Sequence, residues 1–295
     1  MQDAIDETAA PEAARCYICL DGGDLIRNCA CRGPDQGFAH AGCLVRMAES
    51  HLDENAYVNN PSKYFQALNY CGLCRHSFEG KVYLALCRAA WQRFVVHPAD
   101  DVWRANAITK LGVALHNMGR IDEAERLFAQ SLEITRRVYG RDHHITKDVE
   151  RLCACSIHAN ARGDVTKLKK ALDIFTRLHA WHTNHVGPDD GDTLKLAKSI
   201  GSVKRDMGMF AESQELFRDH RDAVQRVFGE SSERWIEAQR LLAYTFWIQG
   251  KYRECYAICE PTLATAERVL GPDGWETTRL RHMSRQVGRA VWPPL

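Results

Sequence analysis

The chain has 295 residues, long for one small core and suited to two compact units. Its 39 basic side chains almost cancel 38 acidic ones, so no global charge excess points to nucleic acid or a membrane surface. No apolar run reaches the roughly 18 residues that a spanning helix needs. Eight of the metal-type side chains fall between positions 16 and 74, which argues for a reducing compartment, the cytosol or the nucleus, and against a disulfide scaffold.

Residues 1–13 are acidic and alanine-rich and lack the basic start and apolar run of a secretory signal, so they predict a disordered tail. Residues 14–79 carry the string Cys16, Cys19, Cys29, Cys31, His40, Cys43, Cys71 and Cys74, spaced as C-x2-C, C-x-C, H-x2-C and C-x2-C. Four close pairs of thiols and one imidazole suit two tetrahedral zinc ions, and four protein ligands on each leave no position for catalytic water. Interleaving the pairs gives Cys16, Cys19, His40 and Cys43 to the first zinc, and Cys29, Cys31, Cys71 and Cys74 to the second. A segment this short with few large apolar side chains needs the roughly 10–16 kcal/mol that a structural zinc contributes. Between the third and fourth pairs, SHLDENAYVNNPSKYFQALNY predicts a helix, a turn at Asn59–Pro61 and a short second helix.

The order of ligands is shared with histone-reading PHD fingers, but the spacing differs: one residue inside the second pair, eight before the histidine, and Asn69 where PHD fingers place tryptophan. The phrases CYICLDGG, LIRNCACRG, GFAHAGCLVRMAES and CGLCRHSF instead resemble RING-CH, or RING-variant, zinc fingers. This resemblance implies a cross-brace that holds a ubiquitin-loaded conjugating enzyme, with no nucleophile of its own. It maps conjugating-enzyme docking onto Ile18, Met47 and Gly72–Leu73, and a bridging arginine onto Arg75. Met47 stands where tryptophan is usual and Gly72 where proline is frequent, which leaves the docking surface less filled; methionine is flexible enough to take an aromatic-sized gap.

Residues 80–97 have apolar positions at helical spacing and stop before Pro98, predicting a connector helix. From 101 to 295 the chain repeats. Gly119, Gly163, Gly208 and Gly250 form one series and Gly140, Gly187, Gly229 and Gly271 another, offset by 21 residues in three repeats and 24 in the second. A fixed offset sets the length of a helix between two turns, so about four helix–turn–helix pairs are expected, ending in left-handed glycines. Their apolar stripe includes Leu111, Leu115, Ala124 and Phe128, then Leu242, Phe246, Tyr252 and Leu263; one pair cannot bury such a face alone, so neighbours stack. Pro261, inside a second helix, predicts a kink.

GRIDEAERLFAQSLEITRRVYGRDHHIT and GKYRECYAICEPTLATAERVLGPDGWETT resemble kinesin-light-chain-type tetratricopeptide repeats. Together with the N-terminal motifs, the chain looks like RING-CH/tetratricopeptide proteins of unicellular algae. The fold expected is mostly α, a small zinc-stabilised RING-CH cross-brace followed by an α-helical tetratricopeptide superhelix. The first helices project Lys195, Lys198, Arg205, Arg240, Tyr244 and Trp247 onto the concave face, which suits an acidic peptide with an apolar anchor. Cys255 and Cys259 read as core. Two functions follow: a RING-type ubiquitin ligase whose repeats select a protein or peptide substrate, or a zinc-stabilised adaptor that transfers nothing. Neither involves a membrane.

Overall fold

The computed structural model describes residues 13–27, 37–50, 62–71, 74–98 and 100–291. All but the last residue of the expected tail lies outside these segments. The chain divides into two compact units between Asn160 and Ala161, so the compositional boundary near Glu79–Gly80 falls inside the first of them.

In the first unit, β1 (Ile26–Arg27) pairs antiparallel with β2 (Phe38–Ala39), Ile26 opposite Ala39. Then come α1 (Ala41–Glu49), α2 (Ser62–Ala67), α3 (Gly80–Phe94), α4 (Val102–Asn117), α5 (Ile121–Tyr139) and α6 (His144–Ala159). The segment that carries the thiols does not close a core from its own side chains. Tyr64 and Phe65 of α2 pack with Phe94 of α3 and Trp103 of α4, Phe94 and Trp103 stacking at 5.1 Å between ring centroids and Tyr64 meeting Phe94 edge-on at 5.4 Å.

Helix α3 serves two cores because its apolar residues occupy two faces. Val82, Leu86, Ala90 and Phe94, four apart, join Cys16, Cys43, Leu44 and Tyr64. Leu84, Cys87 and Trp91 turn toward Leu111 and Leu115 of α4 and Phe128 of α5. The connector is thus a shared wall.

The second unit contains α7 (Val165–His185), α8 (Gly191–Asp206), α9 (Phe210–Phe228), α10 (Glu233–Trp247), α11 (Tyr252–Leu270) and α12 (Trp275–Val291). Four helices start at a side-chain cap: Asp101, Asp164, Asp190 and Ser232 each accept from an amide of the first turn. His143 does the same through Nδ1 to the Ile145 amide at 3.3 Å and stacks on Tyr139.

Both glycine series end helices at positive φ, as the repeat predicts. The second series goes further than a left-handed cap. Gly140, Gly229 and Gly271 combine φ of 86°, 79° and 78° with ψ of 170°, 164° and 169°, a region that essentially only glycine enters.

Helix α11 runs from Tyr252 to Leu270 with Pro261 exposed inside it. One expectation needs correction. Tyr252 stays 39% exposed instead of joining the apolar stripe. Two glycines inside helices carry packing that the repeat pattern did not reveal: a Cβ on Gly112 would lie 2.8 Å from Phe128, and one on Gly201 would lie 2.9 Å from Phe217. In the fourth hairpin the equivalent pair is Ala243 and Cys259, both fully buried.

Candidate metal centre

The first two residues of the string sit in a tight turn. The Cys16 amide donates to the Asp21 carbonyl at 2.9 Å, and the Leu20 amide returns to the Cys16 carbonyl at 2.8 Å, with Leu20 at φ 67°. His40 stands at the N-cap of α1, and Cys43 opens that helix, its amide donating to the His40 carbonyl at 3.0 Å. One donor atom from each of Cys16, Cys19, His40 and Cys43 falls within 4.8 Å of every other. His40 Nδ1 is 3.4 Å from Cys19 Sγ and 3.7 Å from Cys43 Sγ.

A tetrahedral ion with sulfur ligands at about 2.3 Å holds neighbouring ligand atoms about 3.8 Å apart, close to these separations. The imidazole is also set for ligation: Nε2 lies 3.1 Å from the Gly22 carbonyl, which can only accept, so Nε2 carries the proton and Nδ1 offers its lone pair to the cluster. The donors therefore fit a zinc ion. An ion held there would supply a closed structural tie, joining the first turn to the start of α1.

The electrostatics of the thiols favours that tie. Burial pushes the Cys16 thiol up, but the amides of Cys19, His40 and Ile18 outweigh it and bring it down to about 6. Cys19 is aided by the Asp21 amide, yet burial and the neighbouring sulfurs of Cys16 and Cys43 push it up to about 11. One proton leaves readily and the next does not, because the first thiolate repels a second beside it. The Arg46 guanidinium donates to Cys43 Sγ at 3.0 Å and adds positive charge at the rim.

The second expected set is described only in part, because Cys29 and Cys31 lie outside the described residues, as do Gly72 and Leu73. Its other half repeats the first turn bond for bond. The Cys71 amide donates to the His76 carbonyl at 2.8 Å, the Arg75 amide donates to the Cys71 carbonyl at 3.0 Å, and Arg75 sits at φ 58°. The described ends of the Cys71–Cys74 pair thus carry the same two backbone hydrogen bonds as the Cys16–Cys19 pair.

Of the docking residues, Ile18 is 37% exposed and Arg75 is exposed, whereas Met47 is partly buried against the core beneath α1. The six concave-face residues separate into two places. Arg205, Arg240, Tyr244 and Trp247 line one groove of about 660 Å³, joined by Thr278, Arg279, His282 and Met283 of α12. That last helix was not read from the sequence as part of the site, although its amphipathic spacing was available. Lys195 and Lys198 line a separate small cleft with His220 and Glu237. Most of the cations have carboxylate partners: Lys195 with Asp192 at 2.7 Å, Lys198 with Glu237 at 2.9 Å, Arg205 with Asp206 at 2.9 Å, and buried Arg240 with buried Glu276. Cys255 and Cys259 are fully buried with sulfurs 3.8 Å apart, as core residues should be.

Comparison with known proteins agrees with the helical part. A tetratricopeptide repeat family model matches residues 104–145, the α4–α5 hairpin. The fold is similar to a kinesin-light-chain protein of Podosopora anserina with nearly identical TPR-like repeats, at TM-score 0.50 and 13% identity over 77% of this chain and 94% of that one. It is also similar to BtubC (BKLC) from P. vanneervenii, at TM-score 0.50 and 13% identity over 72% and 92%. A third similarity is to a Rap protein complexed with competence and sporulation factor, at TM-score 0.55 and 13% identity over 71% and 58%. Among curated proteins, the clustered mitochondria protein homolog of Candida albicans is 27% identical over 118 residues, 40% of this chain. That of Meyerozyma guilliermondii is 26% identical over 108 residues, 37% of this chain. The chain spans 8% of the length of these curated relatives. The chain is therefore mostly α-helical, with a tetratricopeptide repeat at residues 104–145 and a fold like that of solved proteins built from TPR-like repeats, and it carries a Cys/His cluster near its N-terminus able to hold a metal ion.

Proposed function

We propose that this chain is a zinc-dependent RING-type ubiquitin ligase of the cytosol or nucleus, in which the N-terminal platform receives a ubiquitin-loaded conjugating enzyme and the repeats hold the protein to be modified. The observation that carries the reading is the convergence of Cys16 and Cys19 with His40 and Cys43, the first and third pairs of the string. Alternation of that kind is what a cross-brace requires. It is supported by the matching backbone hydrogen bonds that flank Cys16–Cys19 and Cys71–Cys74; on this reading the second zinc falls to Cys29, Cys31, Cys71 and Cys74.

On this reading the chain's own residues position and do not react. Ile18 offers an exposed apolar contact on the first turn, with Leu73 as its counterpart on the last, and Arg75 bridges the conjugating enzyme and ubiquitin. The groove of Arg205, Tyr244 and Trp247 receives an acidic segment with an apolar anchor.

One observation favours the adaptor reading: Met47 is partly buried against the core at the position where a docking surface needs a presented side chain. Ubiquitin-chain formation with purified components decides between the two. Products that disappear in Ile18→Ala, while zinc content is unchanged, support the ligase. Absence of products across a broad panel of conjugating enzymes, with zinc bound, leaves the adaptor.

A further inference from the structure

Helices α3 and α5 flank α4 and leave a groove of about 420 Å³ between them, distinct from the concave-face groove of the second unit. Its floor is apolar: Leu111 and Leu115 of α4 lie beneath Trp91 of α3 and Leu127 of α5. Its rim is cationic. Arg120 is committed to Glu123 by two hydrogen bonds of 2.6 and 2.7 Å, whereas Arg88 and Arg126 are exposed and make no ion pair among the described residues.

Three arginines thus face one carboxylate, leaving two positive charges above an apolar floor. The Glu123 carboxyl registers all three: it is held below the usual carboxylate range first by its hydrogen bond to Arg120, then by the charges of Arg126 and Arg88.

We infer that this groove docks a segment of a partner protein that inserts one or two apolar side chains over Leu111 and Leu115 and sets carboxylates against Arg88 and Arg126. The charge sign selects an acidic segment. Two cations over a concave apolar floor fit a peptide better than a nucleic-acid backbone or a flat membrane, both of which need broader basic surfaces. The site rests on neither zinc nor ligase activity. Its placement matters because α3 also walls the core around Cys16 and Cys43, so a segment seated there touches a helix continuous with the metal platform.

The probe is a phage-displayed library of short random peptides, selected on the full chain and counter-selected on Arg88→Glu/Arg126→Glu. Both arginines are exposed, so the variant should melt as the parent does. The expected peptides combine an aromatic or aliphatic residue with two or more carboxylates. Synthesised singly, they should bind the parent at least about tenfold more tightly than the double variant, with an intermediate loss in Arg88→Gln/Arg126→Gln and weakening by salt. Equal binding to parent and variant overturns the inference, as do basic or uncharged peptides or no enrichment at all. A parent that is dimeric on sizing and becomes monomeric in the double variant also overturns it, by showing that the occupant is a second copy of the chain.

Discussion

Leu20 and Arg75 occupy the same position in two copies of one turn, each following the second cysteine of a C-x2-C pair and each at positive φ, 67° and 58°. Side chains other than glycine are disfavoured there, by roughly 1–2 kcal/mol. Leu20 is 74% exposed, so removing its side chain forfeits little burial. Leu20→Gly is expected to stabilise the metal-loaded protein by about 1 kcal/mol in denaturant melts, and Leu20→Val to destabilise it. Arg75→Gly should relieve the same strain yet lower ubiquitin transfer, since it keeps the turn and removes the charge.

Metal removal should act unevenly. A chelator is expected to cost the first unit on the order of 10 kcal/mol, comparable to the whole stability of a domain, while α7–α12 keep their own transition. Circular dichroism during melting would show two steps, the earlier one restored by added zinc. A single melt unchanged by chelation contradicts the metal assignment.

The ring of Phe128 fills the space that a side chain on Gly112 would take. Gly112→Ala is therefore expected to destabilise the first unit by about 1–3 kcal/mol despite alanine's higher helix propensity. Adding Phe128→Leu should recover part of that loss, and the coupling between the two substitutions measures the contact.

Arg240 and Glu276 form a buried ion pair between α10 and α12, with 8% and 5% of their surfaces exposed. Arg240→Met strands a buried carboxylate and should cost about 3–5 kcal/mol, whereas Arg240→Met with Glu276→Leu should come close to parent stability. Chemical denaturation of the single and double variants checks both.

Burial first, and then the Lys198 ammonium, push His220 from 6.5 down to about 4, with Glu237 opposing. The folded imidazole stays neutral where the unfolded one takes up a proton. Stability is complete above pH 6.5 and falls as pH drops toward 4, by on the order of 3 kcal/mol. In His220→Gln the slope of stability against pH across that window should flatten.

Repeats and ligand spacing were the legible parts, because each depends on residues whose chemistry acts locally. A glycine required at positive φ or a cysteine paired three residues on declares itself in one dimension, and Gly119 through Gly271 and the Cys16–Cys43 cluster followed accordingly. Contacts between elements were less visible. Nothing near Gly112 names Phe128, although the same sixteen-residue separation recurs at Gly201 and Phe217. Lys195 and Arg240 read as free cations because their partners, Asp192 and Glu276, are determined by helix phase and by packing across helices. For Pro261 the local penalty was legible, whereas its exposed place on α11 was not.

Because α3 walls two cores, the chain cannot be cut cleanly at Glu79–Gly80. A fragment ending there would lose Leu86 and Phe94 from beneath its thiols, and the repeats left behind would bare Leu84 and Trp91 to water. Laboratory shuffling of the two halves must therefore carry residues 80–94 along with both, so the thiol-bearing segment and the first hairpin form one transferable piece.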